Sequence, residues 1–174
     1  MHETPEDMVA LQELLDRSYA SAGPHLKSIT TPDRRVGAED LVAMLTGMCL
    51  LVVATVTADG RPIAGPLDGI FYRGAWHFGT APDSVRYRHL LARPHVSATH
   101  LPREEFAVNV HGRAAPIDVH APESRGLRET LFEVYGPRYG EEDWERFLEG
   151  GDDPERSPVY MRIDADRMFT FRMG

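Results

Sequence analysis

The chain has 174 residues, 42% hydrophobic and 26% charged, with a formal net charge of -8. These proportions suit one soluble globular domain with a sizeable core. The acidic balance excludes a nucleic-acid role carried by global charge, because neutralising phosphates needs clustered Lys and Arg.

Lys27 is the only lysine, so an anion site must be built from arginine and backbone amides. The planar guanidinium suits phosphate, since it donates two hydrogen bonds at once. Cys49 is the only cysteine, which rules out an internal disulfide and a cysteine-rich zinc site. It lies in an apolar run and reads as a small buried hydrophobe, consistent with a cytoplasmic location. The acidic start, Met1-His2-Glu3-Thr4-Pro5-Glu6-Asp7, lacks the positive charge of a secretory leader. The apolar run from Met48 to Val56 is far short of the ~20 residues of a membrane helix. No membrane partner is therefore expected.

In chain order, Thr4-Pro5-Glu6-Asp7 predicts a helix start: Thr4 caps, Pro5 fits the first position, and the acids suit the dipole. Met8, Leu11, Leu14 and Leu15 recur at helical spacing, and the helix is expected to end before Gly23-Pro24. Pro24 to Gly37 shows no period and reads as a connection. Ala38 to Leu45 predicts a short second helix.

The pattern then changes. Leu50 to Val56 is β-branched and apolar, a buried strand. Ala58-Asp59-Gly60 is a tight turn, Pro62 to Tyr72 a second strand, Arg73-Gly74 a second turn and Ala75 to Thr80 a third strand. Together they predict an antiparallel meander. Asp83 to Ala92 predicts a helix with Asp83 as the candidate cap, ended by Pro94. His95 to Leu101 and Phe106 to Val119 are the next strands. A helix from Pro122 carries Leu127, Leu131 and Phe132 and is expected to close at Gly136-Pro137. Glu141 to Leu148 predicts a short acidic helix with Trp144 and Phe147 on its apolar side. Gly150 to Pro154 is a loop, and Val159 to Phe171 the terminal strand. The expected fold is mainly β, an antiparallel barrel with added helices in one domain. It comprises a helical extension over 1–47, the barrel core over 48–120 with its inserted helix, and closing elements over 121–174.

The richest stretch for chemistry is Phe78 to Arg88, a strand end, a turn and a helix start bearing Ser84, Arg86 and Arg88. Free amides at a helix start attract anions, Ser84 adds a hydroxyl donor, and the arginines add charge. The same pattern is also that of a solvated helix face, and both readings stay open on spacing alone.

These residues carry a family resemblance. An Asp-Gly turn leads to a proline-bearing strand, a Gly turn, and a strand ending in Thr80. Ser84-x-Arg86-x-Arg88, Arg93-Pro94 and Val96-Ser97-Ala98 follow, and then Val108-x-Val110-x-Gly112-x-Ala114. From Leu50 to Val119 the chain resembles the FMN-binding split β-barrel superfamily that includes pyridoxamine 5'-phosphate oxidase. That superfamily also contains deazaflavin-dependent reductases and some haem-degrading proteins. The resemblance implies a homodimer with FMN in clefts between subunits and oxidoreductase activity on a small-molecule substrate. It implies that Gly65, Pro66, Leu67 and Asp68, after Ala64, lie along the flavin ring. Gly79 and Thr80 would lie near the ribityl chain, with Ser84, Arg86 and Arg88 at the phosphate. Asn109 would lie where the partner subunit approaches. A deazaflavin coenzyme, or a non-catalytic flavin or haem carrier, are the alternatives.

The chain departs from the vitamin-phosphate oxidases at several matched positions. Ala64 and Gly69 stand where those enzymes carry basic residues, with Arg61 the nearest replacement. Ala107 replaces a glutamine, and Met168 and Phe169 occupy the region of an expected Trp and Arg. Their substrate site is therefore expected to be absent. No catalytic acid or base is assigned. The histidines show no metal-ligand spacing, so no metal is expected.

Overall fold

The structure is a computed structural model that describes residues 2–151, 153, 155 and 157–173. The predicted loop residues Asp152 and Pro154 lie outside the described residues.

The N-terminal third is helical. Helix α1 spans Pro5–Ala20 and begins with a reciprocal capping box between Thr4 and Asp7. The expected connection after it contains a helix, α2 (Pro24–Ile29), and a 3-10 turn over Pro32–Arg34. Helix α2 buries no residue, so it carries no apolar period that a sequence pattern could reveal. Helix α3 follows over Ala38–Met44.

Six strands then form a closed barrel: β1 (Cys49–Val56), β2 (Pro62–Tyr72), β3 (Ala75–Thr80), β4 (His95–Arg103), β5 (Phe106–Ile117) and β6 (Val159–Arg172). The order around the barrel is β1-β2-β3-β6-β5-β4, and every neighbouring pair is antiparallel. The two predicted hairpin turns hold, with positive φ at Gly60, Arg73 and Gly74. Strand β5 stops at Ile117, two residues before the expected end. Helix α4 (Val85–Ala92) follows β3. Helices α5 (Arg125–Tyr139) and α6 (Glu141–Leu148) separate β5 from β6. Helix α5 continues past the expected stop and carries Pro137 inside its last turn, ending instead at Gly140, whose φ is 91°.

The barrel interior is filled by alternating side chains, among them Leu51, Val53, Trp76, Phe78, Val108, Val110 and Met161, all nearly inaccessible. Helix α1 packs on β6. Tyr19 Oη accepts from the Thr170 amide at 2.7 Å and donates to the Thr170 carbonyl at 2.8 Å. The Met168 amide donates to Ser18 Oγ at 2.9 Å. A second apolar cluster lies outside the barrel, where Ile70 and Tyr160 meet Leu131, Tyr135, Trp144 and Leu148 of α5 and α6.

Part of the outer barrel face has no such cover. Leu50 (61% exposed) and Val52 (49%) on β1 and Leu101 (60%) on β4 present apolar side chains to solvent. Among the described residues, no helix is long and apolar enough to cross a membrane.

Candidate functional site

Strand β3 delivers the site's first pieces. Gly69 pairs with Phe78, and Gly79 with Tyr160. The strand ends at Thr80, and the chain turns through Ala81-Pro82-Asp83 into α4. Ser84, not the expected Asp83, caps this helix: its Oγ accepts from the Tyr87 amide at 3.0 Å. The Ser84 and Thr80 hydroxyls share a hydrogen bond of 2.9 Å, tying the strand end to the helix start. The first amides of α4, at Val85 and Arg86, precede any intrahelical acceptor and carry the positive end of the dipole.

The two arginines differ. Arg88 is exposed and folds back onto the Asp83 carbonyl at 2.8 Å. Arg86 is half-buried, and its Nη2 reaches the Gly65 carbonyl at 3.4 Å. No carboxylate pairs with Arg86 among the described residues. Burial pulls its guanidinium below the ordinary value, yet an arginine stays charged. A Cβ on Gly65 would stand 3.1 Å from Arg86 Nη2. The missing side chain therefore leaves the room that the guanidinium occupies. The solvated-face reading fits Arg88 and does not fit Arg86.

Asp68 lies on the other side of this junction. It lines a cavity of about 700 Å³ with Gly79, Thr80, Ala81 and Tyr160 from the barrel side, and with Tyr135, Tyr139, Asp143, Trp144 and Phe147 from α5 and α6. Tyr135 and Trp144 stack with centroids 4.5 Å apart, and Tyr139 lies parallel to Trp144 at 6.0 Å. Burial pushes the Tyr135 and Tyr160 phenols up, and the charge of Asp68 adds to both. These phenols are protonated donors at neutral pH.

The structure thus brings together Gly65, Asp68, Gly79, Thr80, Ser84 and Arg86 of the predicted site. Pro66 faces outward and is exposed, whereas Leu67 packs against the core. Asn109 stands apart on the open barrel face. It accepts from Thr99 Oγ1 at 2.7 Å, and the pairs Asn109↔Thr99, Thr99↔Val52 and Val52↔Pro66 place it in one row with β2. Sequence reading missed the aromatic wall. Trp144 and Phe147 were read only as the apolar side of a short helix, and Tyr135 and Tyr139 carried no reading, because the preceding helix was expected to close at Gly136-Pro137.

Other titratable groups are structural. Burial pushes the Cys49 thiol up to about 11, so it stays protonated. Among the described residues no cluster of three His, Cys, Asp or Glu could hold a metal. His77 is buried beside Tyr72, with Nδ1 donating to the Ala75 carbonyl at 3.1 Å. Burial lowers its pKa to about 4 from an ordinary 6.5. Its neutral form therefore stabilises the fold fully above pH 6.5, and that contribution drains away as pH falls toward 4. The total is about 3 kcal/mol. Urea midpoints at pH 7.5 and 4.5 are expected to fall less in His77→Gln than in the wild type. An equal fall in both would contradict this.

A closed six-stranded antiparallel barrel with added helices defines the split-barrel fold. The sequence profile of pyridoxamine 5'-phosphate oxidase matches residues 38–168, and the chain belongs to that family. No match is found among curated proteins. Solved structures share the fold. A conserved hypothetical protein from Mycobacterium tuberculosis superposes with a TM-score of 0.63 at 18% identity, covering 81% of this chain and 88% of that one. A FAD-binding protein from Mesorhizobium loti has a TM-score of 0.57 at 19% identity, over 81% of this chain and 98% of that one. A putative pyridoxamine 5'-phosphate oxidase from Listeria innocua has a TM-score of 0.55 at 16% identity, over 76% and 95%.

Proposed function

We propose that this chain is an FMN-binding flavoprotein, a homodimeric oxidoreductase acting on a small molecule. The observation that carries the reading is Arg86, a half-buried cation at the start of α4 with no carboxylate partner among the described residues. Beside it are the Ser84 and Thr80 hydroxyls and the open helix amides. This donor set suits a phosphate monoester. Gly65 to Asp68 and Gly79 would lie along the rest of the cofactor. When bound, the flavin supplies the redox chemistry. This chain's residues anchor its phosphate, position its ring and enclose the cavity from water.

A FAD-binding protein of the same fold fits this reading. The alternatives find less support. A deazaflavin's acidic tail needs more positive charge than Arg86 supplies at the anchor, and among the described residues no histidine lines the cavity to ligate haem. Purified protein should show flavin absorption bands or acquire them on adding FMN. A colourless protein that takes up no FMN would overturn the assignment.

The second subunit would cover Leu50, Val52 and Leu101, the apolar patch that shares its barrel face with Asn109. Burying a Val or Leu side chain is worth about 1.5–3 kcal/mol, so the patch favours association. Sedimentation at micromolar concentration is expected to show a dimer for the wild type and a monomer with weakened FMN binding for Val52→Lys. A wild-type monomer in the presence of flavin would exclude the dimer.

A further inference from the structure

The geometry points to the α5–α6 cavity as a binding site for an organic cation that carries a flat ring, such as an aromatic ammonium compound. The inference rests on the flavoprotein reading only in that this cation would be the substrate or a substrate analogue.

Three observations converge. The first is shape and surface. The cavity measures about 700 Å³, and aromatic rings dominate its walls. Such volume suits a small organic molecule, and aromatic faces suit a flat or cationic one. Two of these rings, Tyr139 (48% exposed) and Phe147 (52% exposed), remain open to an incoming ligand.

The second is charge. The lining residues include two carboxylates, Asp68 and Asp143, and no Lys, Arg or His among the described residues. Neither acid has a hydrogen-bond or ion-pair partner among the described residues. Outside the lining, the Arg138 guanidinium lies over the Tyr139 ring, 5.7 Å from its centroid; with two carboxylates on the lining itself, the walls still favour a cation over an anion.

The third is hydrogen bonding. Tyr135 and Tyr160 are 5% and 4% exposed, and both line the cavity. Neither phenol has a hydrogen-bond partner among the described residues. Their rings are buried, but their hydroxyls stay accessible from the cavity and offer two donors to a ligand there. Gly79 and Thr80, which border this space, also border the flavin phosphate anchor, so a bound cation would lie next to the cofactor.

Charge therefore inverts what the matched family name suggests, since a phosphorylated vitamin would need bases where this cavity presents acids. The site is built for a ligand of opposite charge.

Calorimetric titration of the flavin-loaded protein with benzyltrimethylammonium, benzyl alcohol and benzoate tests this. The ammonium compound is expected to bind about tenfold tighter than benzyl alcohol, and benzoate more weakly still. Asp143→Asn should weaken the ammonium compound about fivefold or more and leave benzyl alcohol unchanged. Asp143 is exposed, so its variant is expected to fold. Equal affinity for all three probes, or ammonium affinity unchanged in Asp143→Asn, would overturn the assignment. Flavin content is read separately by absorbance. Protein without flavin that still prefers the ammonium compound would keep the cation site and remove the cofactor reading. Yellow protein indifferent to probe charge would do the reverse.

Discussion

Replacing Gly112 by alanine is expected to cost about 3 kcal/mol or more, a large share of the roughly 5–15 kcal/mol that holds a typical domain. The cause is local and steric. The β5–β6 register shifts between His111, which pairs with Arg167, and Gly112, which pairs with Ala165. Asp166 is the extra residue of a bulge, and the bulged strand leans over Gly112. A Cβ there would lie 2.1 Å from the Asp164 carbonyl oxygen and 2.9 Å from Ala165 Cα. Both obstacles are backbone, so no side chain can move aside, and the ladder itself must open. Helix α1 docks on the next residues of β6, through Met168 and Thr170, so the disturbance reaches the N-terminal helices. Gly23→Ala is the control, because a Cβ there meets nothing within 4 Å; its cost should stay within about 1 kcal/mol. Denaturant midpoints of the two variants measure the difference. A Gly112→Ala protein as stable as the wild type would mean that this register is wrong.

What the sequence reveals and what it hides divide along physical lines. The hairpins were legible because Asp59-Gly60 and Arg73-Gly74 supply the positive φ that such turns require. The strands were legible because alternation with period two survives in a barrel whose inside is apolar. Helix α2 was not legible, because a six-residue helix with no buried side chain leaves no pattern. The end of α5 was misplaced because Pro137 normally stops a helix. It is tolerated here inside the last turn, and the positive φ of Gly140 makes the break.

The proposed anchor was expected from a local string, since Thr80, Ser84 and Arg86 fall within seven consecutive residues. The partner of that anchor was not. Gly65 meets Arg86 only because β2 and α4 converge at one end of the barrel. The aromatic cavity was hidden for the same reason. Its walls come from β2, β3, two helices and β6, and only closing the barrel through β3–β6 pairing sets Tyr160 beside Gly79 and Asp68.

The second large effect concerns Arg86. Arg86→Ala is expected to weaken FMN binding by about 1.5–3 kcal/mol, the worth of a hydrogen bond to a charged group. That is about tenfold to a hundredfold in affinity. Riboflavin lacks the phosphate and should lose little. The fold should survive, because among the described residues Arg86 makes no ion pair and only one long side-chain hydrogen bond, 3.4 Å to Gly65. Arg88→Ala is the internal comparison. Arg88 is exposed and already bonded to the Asp83 carbonyl, so its removal should matter less.

The central claim is that the β3–α4 junction holds the phosphate of a flavin mononucleotide. Parallel fluorescence titrations of wild type and Arg86→Ala with FMN and with riboflavin test it most directly. The predicted result is FMN affinity reduced at least about tenfold in the variant, with riboflavin affinity nearly unchanged. FMN affinity equal in the two proteins, or riboflavin affinity falling as far as FMN affinity, would contradict the claim.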